Sequence, residues 1–191
     1  MKRIATLASL LVLAAPFAMA QSSTWVADPM HSEVDFSVTH LTISNVHGRF
    51  GKIQATVVYD GADVSKSSVK ATIDVSTVDT GEEARDKHLK TPDFFDIATY
   101  PTATFVSTSV AKSGAGLTVN GDLTLHGVTK PVVLTISGPV GPVQGMDKKQ
   151  HAGFTATTTI SRSAFGIGTK FPSGAVGDEV KLNIELDVAL Q

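Results

Sequence analysis

The sequence predicts an all-β protein, an eight-stranded antiparallel barrel with one short helix between strands. From Gln21 onward Val and Thr supply 21 residues each out of 171, a bias towards β-branched side chains that fit a pleated, half-buried surface. Near the C-terminus Val180, Leu182, Ile184, Leu186, Val188 and Leu190 alternate with Glu179, Lys181, Asn183, Glu185, Asp187 and Ala189. That period of two belongs to a strand with one face buried and the other wet. Turn clusters of Gly, Pro, Asn, Asp and Ser separate further runs of the same kind.

Taken in order, Trp25–Ala27 is short enough to be only an extra strand. Val34, Phe36 and Val38 alternate with polar neighbours, and the next run extends over Gly48–Tyr59. Val69, Ala71, Ile73 and Val75 repeat the period. The pattern then breaks at Glu82–Lys90, where acids come first and bases last, matching a helix dipole; Pro92 ends that helix by pushing Thr91 out of the helical region. Strands resume over Thr102–Val110, Leu117–Leu125, Pro131–Ser137, Ala152–Ile160 and Glu179–Leu190, and the turn-rich stretch Gly138–Gly145 reads as a loop near one end. Eight strands with one apolar face need a second sheet or closure on themselves, and closure also removes exposed edges.

Composition narrows the class. The chain has 42% hydrophobic and 18% charged residues, too apolar for disorder. Lys2 and Arg3, the apolar run Ile4–Ala15, Pro16 and the small triplet Ala18-Met19-Ala20 read as an export signal over residues 1–20 with cleavage after Ala20. A periplasmic domain over 21–191 is therefore expected. Without Lys2 and Arg3, 14 basic residues face 18 acidic ones and no basic stretch could track a phosphate backbone, so nucleic acid is not an expected partner. One Trp and two Tyr are too few for the aromatic girdles of a membrane-embedded barrel. Cysteine is absent, which excludes disulfides and thiolate chemistry.

The motifs Trp25-Val26-Ala27-Asp28, His31-Ser32, Gly48-Arg49-Phe50, His88-Leu89, Phe94-Phe95-Asp96, Tyr100-Pro101, Gly121-Asp122-Leu123-Thr124, His126-Gly127-Val128-Thr129, Ser161-Arg162, Phe165-Gly166 and Val176-Gly177-Asp178, in this order and spacing, resemble the YceI-like family. The resemblance implies a lipocalin-like barrel whose apolar tunnel holds a polyisoprenoid chain, such as a quinone tail, or another long-chain amphiphile. It implies storage or transport of that lipid, no catalytic chemistry and no cofactor beyond the lipid itself, and it makes a homodimer unsurprising.

A hydrocarbon chain needs continuous apolar walls, at about 0.8 kcal/mol per buried methylene before entropic costs. The expected lining is Phe36, Val38, Phe50, Val57, Ile73, Phe94, Phe95, Phe105, Leu123, Leu134, Phe154, Ile160, Phe165, Leu182 and Ile184. Phe94, Phe95 and Phe165 lie beside the helix or a Gly-rich loop, where a mouth would be, and the loop around Gly166 and Gly168 reads as a lid. Each of these residues also suits an ordinary core, and a structural or stress-protective barrel with a filled interior is the alternative function.

Two polar residues follow inward series and are headgroup candidates, His40 after Val38 and Arg162 after Ile160. For Arg162 a structural ion pair with Asp178, Asp96 or Asp28 competes with a ligand anion. For His40 the competitor is a hydrogen-bonded core histidine. His31, His40, His47, His88, His126 and His151 lack the close spacing of a zinc site, so no metal is expected. No nucleophile elbow, phosphate loop or dinucleotide fingerprint occurs, and no catalytic residue is assigned.

Overall fold

The computed structural model describes residues 22–191, so the expected signal lies outside the described residues. Ten strands form: β1 (Ser23–Ala27), β2 (Glu33–His40), β3 (Ser44–Phe50), β4 (Ile53–Tyr59), β5 (Ser68–Asp74), β6 (Thr102–Ser113), β7 (Gly116–Leu125), β8 (Val128–Gln144), β9 (Gln150–Ser161) and β10 (Val176–Leu190). The helix α1 (Glu83–Leu89) occupies the charged stretch. Glu82 caps it by accepting from the Ala84 N–H, and Glu83 and Lys87 pair one turn apart at 2.7 Å.

Eight strands make a closed antiparallel ring, in the order β1-β4-β5-β6-β7-β8-β9-β10. The ring closes where Trp25, Val26 and Ala27 of β1 pair with Leu190, Ala189 and Val188 of β10. The remaining two strands form the β2–β3 hairpin, which docks on the first two-thirds of β10, from Val176 to Glu185. On its far side Arg49 and Asp79 exchange backbone hydrogen bonds of 2.9 and 3.0 Å, so the wall is continued there too. The long β10 thus serves two neighbours in succession, β2 and then β1.

Two elements differ from the sequence reading. The run Gly48–Tyr59 is two strands, separated at Gly51 and Lys52, where Lys52 takes φ 55° and β4 leaves the hairpin for β1. Gly138–Gln144 is strand rather than loop. It extends β8 along β9 through Val140↔Gly153, Val143↔His151 and Gln144↔Gln150, with register shifts around Pro139 and Pro142. Prolines cannot donate to a ladder, and these irregularities accommodate them.

Apolar side chains from alternate positions point inward, giving two clusters. One gathers Trp25, Phe36, Phe50, Ile53 and Val188, and the other Phe105, Leu117, Val119, Ile160 and Phe165. Ile53 and Val188 are fully buried. Burial of side chains of this size contributes about 1.5–3 kcal/mol each. The β2–β3 turn is less ordinary. Leu41 and Thr42 both lie in the left-handed region, at φ 51° and 62°, and the Ile43 N–H donates to the His40 carbonyl at 3.1 Å. The loop is three residues long, Leu41–Ile43 between the paired His40 and Ser44, and each non-glycine residue in the left-handed region costs about 1–2 kcal/mol.

Candidate functional site

The inward side chains do not fill the barrel. Two chambers remain, of about 140 and 130 Å³, and both present an apolar surface. The first is walled by Val57, Phe105, Leu134, Phe154 and Ile184, with Ser67 and Ser68 from the start of β5 and the residue before it. The second is walled by Phe36, Val38, Phe50, Ile160 and, beyond the strands, Leu89, Phe94 and Phe95. Val34, Ile73, Leu123 and Leu182 line both. These four residues, on β2, β5, β7 and β10, form a waist between the chambers.

Local sequence explains why the space stays open. The Phe36 ring lies against Gly48 directly across the β2–β3 pair, and the Phe105 ring lies against Gly121 on β7; a Cβ at either glycine would collide with the ring. Glycine therefore lets two large rings fold against the wall instead of into the lumen. A void needs only about 10–15 Å³ by this measure to admit a water, yet an apolar one offers water no partners. At about 24 cal/mol per Å³, a cavity of this size would cost on the order of 3 kcal/mol if left without an occupant. An apolar occupant would recover that cost.

Fourteen of the fifteen expected lining residues border a chamber: Phe36, Val38, Phe50, Ile73, Phe94, Phe95, Leu123, Ile160 and Leu182 the second, and Val57, Phe105, Leu134, Phe154 and Ile184 the first, with the waist residues Ile73, Leu123 and Leu182 in both. Phe165 does not border either. It sits in the 3-10 turn Ser163–Phe165, where strand parity no longer applies, and is buried in the second cluster. Val34, Val119, Val180 and Leu186 line the space and share parity with residues that sequence reasoning singled out. Leu89 carried no such signal, because it comes from the helix.

His40 is exposed and borders neither chamber. It ends β2 at the turn, so inward parity there points past the rim. Arg162 does border the second chamber and is buried, but no carboxylate meets it among the described residues. Its five N–H groups donate to backbone carbonyls: Nε to Gly177 at 3.0 Å, Nη1 to Ile167 and Gly168 at 2.9 and 2.6 Å, and Nη2 to Phe171 and Val176 at 2.8 and 2.7 Å. A guanidinium has five donors in all, so none is left over. Asp178 instead accepts from Ser161 Oγ and the Ser163 N–H, which holds its carboxyl below the usual range. The expected lid is thus braced from within by Arg162.

That loop is also latched to the segment after α1. Phe94 and Phe171 stack at 5.0 Å and 12°, and His88 meets both rings edge-on. Asp93 joins Lys170 at 2.5 Å and His88 at 3.2 Å, and the Lys170 ammonium, then His88, hold its carboxyl low. At the opposite flank His151 is gripped by two carboxylates, Nδ1 to Asp187 at 2.7 Å and Nε2 to Asp147 at 3.1 Å, which raises its pKa. His31 pairs with Asp28 at 2.8 Å and is likewise raised. Among the described residues no group of three or more His, Asp or Glu is placed to hold a metal ion.

Fold and interior together define the class: a closed β-barrel built around an apolar internal cavity. A family model described as YceI-like domain matches residues 25–188, and the chain belongs to that family. It is 40% identical over 177 residues to a UPF0312 protein of Vibrio cholerae, covering 91% of this chain and 92% of that one. A UPF0312 protein of Shewanella denitrificans is 40% identical over 158 residues, or 82% and 81% of the two chains. Among solved structures it is similar to BcnA of Burkholderia cenocepacia, at 31% identity and TM-score 0.73 over 84% of this chain and 98% of that one. A YceI protein of Campylobacter jejuni gives 33% identity and TM-score 0.71, covering 80% and 90%. A polyisoprenoid binding domain from Saccharophagus degradans shares the fold at 16% identity, TM-score 0.63, over 90% and 100%.

Proposed function

We propose that this chain is an exported, periplasmic binding protein that holds one polyisoprenoid lipid or isoprenoid quinone inside the barrel, for storage or transport. The observation that carries this reading is the pair of apolar chambers meeting at the waist of Val34, Ile73, Leu123 and Leu182. A long, methyl-branched hydrocarbon fits such walls without directional contacts, and its tail would thread the waist from one chamber into the other. The family membership supports a lipid ligand, since one protein of this fold is a polyisoprenoid binding domain. Because all five donors of Arg162, the one charged side chain among the described residues that line the chambers, are engaged, recognition rests on the tail. No residue is assigned a catalytic role and no cofactor is invoked.

A barrel filled by its own side chains is the competing reading, and the open chambers argue against it. The test is native mass spectrometry of the protein purified from the periplasm, followed by denaturing extraction and lipid identification. One isoprenoid per chain is expected. A ligand-free mass that stays unchanged after incubation with quinones and prenyl phosphates would overturn the proposal.

A further inference from the structure

We infer that residues 80–100 are the gate of the second chamber, a strap that swings from anchors at Asp79 and Pro101 and is latched through Phe94 and Asp93 to the loop of residues 166–176. At one anchor Asp79 exchanges backbone hydrogen bonds of 2.9 and 3.0 Å with Arg49, and at the other the Pro101 carbonyl accepts from the Val75 N–H at 2.9 Å. Between the anchors, among the described residues, every backbone hydrogen bond runs within the strap itself, the last from the Tyr100 N–H to the Asp96 carbonyl at 2.8 Å. Its side chains and amides likewise bond to one another or to Asp79, with one exception, the Asp93 carboxylate that accepts from Lys170. No residue of α1 is buried. A segment that satisfies its own backbone leaves the barrel without orphaning a buried donor or acceptor, a property of elements that open well below the cost of global unfolding.

What keeps the strap in place is the latch and the chamber wall. Phe94 stacks on Phe171, and the Asp93 and Lys170 side chains are 35% and 73% exposed, so parting them strands no buried charge. Inside, Leu89, Phe94 and Phe95 wall the second chamber, with Phe95 edge-on to Phe50 at 5.5 Å. Facing them across that chamber stand Arg162, Ile167 and Val176. The five carbonyl bonds of Arg162 fix this side, so the glycine-rich loop is the jamb and the strap is the moving part. Gly81, at φ 74° with open space where a side chain would stand, supplies a hinge beside the Asp79 anchor. One swing withdraws Leu89, Phe94 and Phe95 from the wall together and opens the chamber along its side.

The inference rests on the chambers being the ligand site, and adds the way into it. Its test combines amide exchange, read by mass spectrometry, with uptake of the uncharged apolar dye N-phenyl-1-naphthylamine, read by fluorescence. The chain has no cysteine, so Asp93→Cys with Lys170→Cys can be joined by a short bis-maleimide at that pair alone. In the parent the strap amides are expected to exchange as one group, faster than those of the strands and of the jamb loop. Phe171→Ala should speed both strap exchange and dye uptake about tenfold, and Lys170→Met about threefold. Neither residue lines a chamber, so the amount of dye bound should stay the same. The joined protein should hold the strap as slow as the strands and take up dye far more slowly. Strap amides as slow as the strands in the parent, or dye uptake by the joined protein at the parent rate, overturns the gate even where an isoprenoid is found bound. Gated dye uptake by a protein that carries no isoprenoid leaves the gate standing and removes the proposed ligand instead.

Discussion

Arg162 shows how one side chain can be misjudged from its neighbours and settled by its partners. Following Phe154, Ala156, Thr158 and Ile160 it reads as an inward charge in need of an anion. In the folded chain it instead gathers five carbonyls from Ile167 to Gly177 and fixes the loop at one end of the barrel. Replacing it leaves those buried acceptors without donors, at about 1–3 kcal/mol for each one that cannot find water. Arg162→Met is therefore expected to destabilise the protein by about 3 kcal/mol or more in urea unfolding. Arg162→Lys, with three donors and no planar fork, should fall between the two. An Arg162→Met variant that unfolds like the parent but loses lipid would return this residue to the headgroup role.

At the scale of elements, the β8–β9 arm is the clearest departure from sequence expectation and carries a titratable clasp. His151 of β9 bridges Asp187 of β10 and Asp147 of the hairpin turn, both of which favour its charged form and raise its pKa above the ordinary value of about 6.5. A raised folded-state pKa means that the clasp contributes fully below the unfolded value and is lost as pH rises through the raised one. On the acid side, Asp147 is held below its ordinary value by the Lys149 N–H and by His151, so its share is lost only as pH falls through that lowered value. Protection of the amides in the Gly145–Lys149 turn, measured relative to their intrinsic base-catalysed exchange, should accordingly be greatest at mildly acidic pH and fall as pH rises through the raised His151 value. Asp187→Asn should bring the His151 titration, followed by NMR, to lower pH, and an unchanged titration would show that the carboxylate does not grip the ring.

For the whole molecule the waist is the decisive feature, because the proposed function needs one chain to span both chambers past the four residues that line them in common. Leu123→Trp should close it, at about 1–3 kcal/mol of overpacking. The expected result is selective: long isoprenoids lose affinity while chains short enough for one chamber keep theirs, read by native mass spectrometry across a chain-length series. Equal loss at all lengths would mean that the two chambers are not used together. A bound lipid at about a hundredfold above its Kd should stabilise the fold by about 2.7 kcal/mol, a rise of several degrees in Tm.

The sequence by itself determined the strand-rich barrel, a short helix within Glu82–Lys90 and the inward facing of fourteen residues that border the chambers, because alternation is a local signal that survives into any closed sheet. It could not show that β2 and β3 form a hairpin beside the ring, since β10 must first run long enough to serve two neighbours. It could not place Phe165 or His40, because parity fails where the strand ends. Only tertiary structure decided that Phe36 and Phe105 fold over Gly48 and Gly121, and so leave space rather than fill it. The physical reason is one of range. Which face a side chain takes is set by its own strand, whereas whether a cavity remains depends on what stands across the barrel, far away in sequence.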